Sequence, residues 1–144
     1  MDFKQFLFAA ILFTIIGQII HTAGAIATMD YYTDSSYYNV WSVFMMPSAG
    51  PPPALFYILS LAFGLISAFI YVYAYSVLRK AIPGKGYVKK GISYGALLFL
   101  VGTFPGSLMM LLLINLPIML VISWAIEGLV VALVGSVVIA RLVE

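Results

Sequence analysis

Apolar positions run almost without interruption through four stretches, about 5–28, 54–78, 91–114 and 118–140, and polar residues gather between them. At about 1.5 Å per helical residue, each stretch covers the roughly 30 Å of hydrocarbon in a bilayer. The pattern predicts an all-α integral membrane protein, a bundle of four transmembrane helices in two hairpins, with residues 1–144 as one membrane domain. Lys4, the apolar run after it and the small residues of "TAGAIA" have the features of a secretory signal, but the run is read as a retained first span.

Within the spans, small residues repeat at helical spacing: Ser60, Gly64, Ser67 and Tyr71 in the second, Gly91, Gly95, Gly102 and Gly106 in the third, Ala125, Gly128, Ala132 and Gly135 in the fourth. Lipid supplies little hydrophobic drive between helices, so close approach depends on such faces, and these are expected to be packing seams. Pro105 removes a helical hydrogen bond and predicts a kink in the third span, with Thr103 or Ser107 satisfying the exposed backbone.

The connections differ in character. Residues 29–53 are too long for a simple link. Ser35 or Ser36 as a cap and Pro47 as a stop predict a short helix there, with Tyr37, Trp41, Phe44 and Met45 on one face, lying in the membrane interface. "GPPP" at residues 50–53 stiffens the approach to the second span. Residues 79–90 carry Arg79, Lys80, Lys85, Lys89 and Lys90, five of the seven positive charges.

Composition changes the picture in three respects. At 64% hydrophobic and 8% charged residues, with mean hydropathy +1.12, the chain has the make-up of a membrane protein. Having no cysteine, it has no disulfide framework and no thiol chemistry. Its net charge of +2 is unevenly spread: all seven basic residues, Lys4 and Arg141 included, fall at the start, between spans two and three, or after span four. The positive-inside rule then predicts cytoplasmic N- and C-termini in the plasma or inner membrane, with residues 29–53 and the "NLP" turn outside. The basic loop is expected to face anionic headgroups. It lacks the G-x-x-x-x-G-K-[ST] spacing, so neither nucleotide nor nucleic acid is expected as a partner.

Two ionisable side chains other than tyrosines fall well inside the spans, His21 and Glu127. Such residues are costly in a membrane and are functional candidates by default. Counted from the outer ends near Thr28 and Ile118, His21 lies roughly 10 Å deep and Glu127 roughly 13 Å deep. Thr14, Gln18 and His21 share a face, Ser123 precedes Glu127 by one turn, and Thr103 and Ser107 come from comparable height. A polar cluster of Glu127, His21, Gln18, Ser123, Thr103 and Ser107 is expected, able to share a proton or to fix helix register. One histidine and one acid do not fill a metal site, and no nucleophile with its base accompanies them, so neither an enzyme nor a cofactor is expected. The expectation is a small homo-oligomeric membrane protein with a solute or proton-linked ion pathway around the Glu127/His21 cluster. The alternative is a non-catalytic structural or accessory subunit of a membrane assembly.

Overall fold

The computed structural model describes residues 2–48 and 51–143; Gly50 of the "GPPP" stretch lies outside the described residues. Among the described residues four helices are long and apolar enough to cross a membrane: Phe3–Ala27, Ala54–Leu78, Gly86–Leu113 and Ile118–Val143. No strand occurs among the described residues. The helices are α1 (Phe3–Ala27), α2 (Met29–Thr33), α3 (Ala54–Leu78), α4 (Gly86–Leu98), α5 (Phe104–Leu113) and α6 (Ile118–Val143), with a π turn at Phe99–Thr103 joining α4 to α5.

Local chemistry sets the ends. Asp2 caps α1, its side chain accepting from the Lys4 amide while the Gln5 side chain accepts from the Asp2 amide. Gly84 and Gly86, at φ 126° and 74°, turn the chain between α3 and α4 where a side chain would be strained. The third membrane helix therefore begins at Gly86, five residues before the apolar run, and Lys89 and Lys90 lie in its first turns. Backbone hydrogen bonds propagate a helix regardless of where the apolar residues start, which is why hydropathy alone misplaced this boundary.

α6 packs against both α1 and α4, and α1 packs also against α3. The end carrying residues 79–90, here the basic end, is filled solidly. Ala9, Ala10, Phe13, Val72, Tyr75 and Tyr94 belong to one buried cluster there with Ile139 and Ala140. Tyr94 donates to the Tyr71 carbonyl at 2.7 Å and its ring meets Tyr75 edge-on, so α3 and α4 touch at this end. Arg79 donates to the Val143 carbonyl at 2.8 Å, tying α3 to the last turn of α6.

Glycine sets how closely α4 and α6 approach. A Cβ on Gly91 would stand 2.5 Å from Val137 Cα, and one on Gly95 would run into the Ala132 carbonyl. Gly135 makes room in the same way for the Phe13 ring of α1, and Gly64 of α3 meets Thr14 and Gln18 of α1. Gly102 and Gly106 do not continue the α4 seam: a Cβ at either meets nothing within 4 Å. The π turn is the reason. Its wider turn shifts the helical register by one residue, so the face that begins with Gly91 and Gly95 passes to Thr103. Thr103 presses its methyl on Gly128 of α6, where a Cβ would stand 2.5 Å from it. The same turn leads into Pro105, and Ser107 donates to the Thr103 carbonyl at 2.9 Å.

The segment after α1 also departs from expectation. Its cap is Asp34, whose Oδ1 accepts from the Ser36 amide at 2.9 Å and the Ser36 hydroxyl at 2.6 Å, and those bonds hold its carboxyl below the usual aspartate range. The helix it starts is a 3-10 turn, Ser35–Val40, that ends at Trp41 and not at Pro47. Tyr37, Trp41, Phe44 and Met45 consequently share no helical face: Phe44 is exposed, while Trp41 turns inward to stack on Tyr32 at 5.1 Å. A 3-10 turn advances three residues per revolution, so a stripe drawn at α-helical spacing does not survive in it.

Candidate functional site

The other end of the bundle, here the loop end, is where the ionisable pair lies. Glu127 is on α6, one turn beyond Ser123, whose hydroxyl donates to Oε1 at 2.9 Å. Its Oε2 lies 2.9 Å from His21 Nδ1 on α1. A histidine Nδ1–H donates to a carboxylate, and a protonated carboxyl donates to a neutral imidazole nitrogen, so one proton lies on this line in either arrangement.

The two partners are unequally exposed. The Glu127 side chain is 10% exposed and that of His21 52%. The acid is held inside the protein while the imidazole forms the wall of an open space. Burial of the acid depends on Gly24, one turn beyond His21 on α1, because a Cβ there would overlap the Glu127 carboxylate. Gly24 belongs to the small-residue run "TAGAIA", whose composition also fits a signal-peptide boundary; nothing in that run marks one glycine as the seat of a side chain from α6.

Above the pair, three aromatic rings close over it. Trp124 Nε1 donates to the Tyr32 hydroxyl at 2.7 Å, Tyr32 stacks on Trp41, and Trp41 meets Trp124 at 6.3 Å between centroids. Burial pushes the Tyr32 hydroxyl above its ordinary pKa; the Trp124 bond opposes that rise and the Glu127 charge adds to it, so Tyr32 remains neutral at physiological pH.

The remaining expected members divide. Gln18 turns toward α3 and donates to Ser60 at 3.0 Å, not to Glu127. Thr103 does not bond the carboxylate, but it lines a cavity of about 230 Å³ with Gln18, His21 and Gly128 in the middle of the bundle. Ser107 is spent on its own helix. A second, larger cavity of about 770 Å³ extends from Gln18, His21 and Glu127 between α1, α3 and the loop segment, and the two cavities share Gln18 and His21. Phe13, Tyr71 and Leu98 lie at the wall of the smaller cavity, beyond which stands the buried cluster of the basic end.

Comparison with protein-family models, with curated proteins and with solved structures returned no match. Among the described residues no group of three or more His, Cys, Asp or Glu is placed to hold a metal ion. The arrangement offers a buried acid, a half-exposed base bonded to it, and polar side chains, among them Gln18 and Thr103, in the cavity walls toward mid-bundle.

Proposed function

We propose that the chain is a small multi-pass protein of the plasma or inner membrane in which the His21–Glu127 pair is a proton-linked site on a solute or ion pathway. The observation that carries this reading is the unequal exposure of a bonded acid and base: the acid is shielded, and the base reaches the cavity from which a proton or cation would come. The termini and the basic loop face the cytoplasm, as the positive-inside rule favours, and residues 29–53 face outward. Exposed Lys80, Lys85 and Lys89 meet anionic headgroups, with Lys90 beside them, while Arg79 anchors α3 to α6. The pathway then opens outward and is closed on the cytoplasmic side by Tyr71, Tyr75 and Tyr94. No catalytic role is assigned.

Proton uptake into proteoliposomes under an imposed potential tests this. Wild type should carry a flux that Glu127→Gln abolishes; equal flux in both, or none in wild type, removes the reading. A second reading, a structural or accessory subunit, is favoured by Gly102 and Gly106, whose open face suits a neighbouring helix from another copy or another protein. It predicts that Gly102→Leu lowers the particle mass in mild detergent while Glu127→Gln leaves it unchanged.

A further inference from the structure

The larger cavity has more room than protons or inorganic ions need, and its lining has a particular chemistry. Its volume of about 770 Å³ falls in the range of small-molecule sites. Its walls combine flexible thioethers, Met45 and Met46, with the rings of Phe56, Tyr57, Tyr38 and Trp124. Among the described residues Glu127 is the one acid in the lining, and neither lysine nor arginine is among them to oppose it. The group bonded to Glu127 is the His21 imidazole, whose side chain is half exposed where that of the acid is buried.

We propose that this chamber binds a hydrophobic organic cation of drug-like size, an amine or quaternary ammonium, with its charged nitrogen set against Glu127 in place of His21. The inference rests on the pathway reading above and names its substrate class. A carboxylate covered by protein attracts a cation far more strongly than one in water, because little solvent screens it. Ring faces add cation–π attraction to the same end of the ligand, and ring and methionine surfaces receive its apolar body. A neutral ligand of equal size gains only the second contribution. An anion meets the carboxylate with no lysine or arginine in the lining to offset it.

Both tryptophans of the chain are placed to report occupancy: Trp124 lines the chamber and Trp41 packs against it. The test is tryptophan fluorescence of the full-length protein in detergent, titrated with octyltrimethylammonium and, separately, with its uncharged carbon isostere. Wild type should bind the ammonium about tenfold or more tighter than the isostere. Glu127→Gln should erase that preference while leaving isostere binding in place. Ala25→Phe, which adds bulk at a lining residue and keeps the carboxylate, should weaken both ligands together. Equal affinity for the two ligands in wild type, or a preference that survives Glu127→Gln, overturns the proposal. Should Glu127→Gln fail to fold, the wild-type comparison and Ala25→Phe decide by themselves. Proton flux without ammonium binding would sink this inference and spare the pathway reading; ammonium binding without flux would remove the pathway reading and leave the chamber a binding site, not a substrate site.

Discussion

Gly95 and Gly24 are both glycines at helix contacts, yet they serve opposite ends. Gly95, in the basic half, lets the α4 backbone close directly on the α6 backbone at Ala132, and Tyr75 and Tyr94 fill the centre that remains. Gly24, in the loop half, makes space that the Glu127 carboxylate occupies, and this half keeps two cavities that share Gln18 and His21 as lining. The small-residue seams of a membrane bundle thus have two uses: one draws helices together, the other seats a polar side chain between them. Which use applies depends on what stands opposite, and that is a property of the partner helix.

The largest effect expected is at the packed end. Gly95→Leu forces a side chain into backbone and should cost about 3 kcal/mol or more, read as a large fall in thermal midpoint in detergent. Gly102→Leu, where the added atoms meet open space, should stay within about 0.5 kcal/mol in the same assay. Similar losses at both positions would break the comparison.

Gly24→Ala should cost about 2 kcal/mol, although alanine is the better helix former by about 1 kcal/mol, because the methyl evicts a hydrogen-bonded carboxylate. A stabilised variant would show that the carboxylate does not sit there. Tyr94→Phe removes the bond to the Tyr71 carbonyl and should lower stability by about 1 kcal/mol. In proteoliposomes, the same variant should raise passive leak if this layer is the closed end of the pathway. Ser60→Ala frees Gln18 and should cost only about 0.6 kcal/mol, since the amide finds other partners in the cleft.

The smallest effect concerns the loop. Asp34 has its carboxyl pKa lowered by the two Ser36 bonds, so its contribution is present above the ordinary aspartate pKa and is lost as pH falls through the lowered value. The Ser36 amide resonance should move with acid in that window, and Asp34→Asn should remove the dependence.

The membrane helices were legible because hydropathy and length together admit few alternatives, and matched counting from the span ends put His21 and Glu127 at similar depth. Three features were not. The transfer of the α4 face from Gly102 to Thr103 follows from one extra residue in a π turn, which leaves no mark in a periodicity that assumes 3.6 throughout. The seat for Glu127 at Gly24 depends on which α1 residue α6 meets, a tertiary fact. Trp41 reads as an interfacial residue by type, and only the stack on Tyr32 turns it toward the site. Pro105 did signal the irregularity, though as a kink and not as a change of register.

The proton-linked site depends on one contact, His21 Nδ1 to Glu127 Oε2 at 2.9 Å. The chain has a single histidine, so imidazole-¹⁵N labelling reports on His21 alone. Dipolar dephasing between that nitrogen and side-chain-¹³C-labelled glutamate in lipid bilayers measures the pair directly. The structure predicts strong dephasing at a nitrogen-to-carboxyl-carbon separation of about 3.5–4 Å, as a hydrogen bond of ordinary length requires, and its loss in Glu127→Gln prepared with the same labels. Absence of dephasing in wild type would contradict the pairing, and with it the proton-linked site.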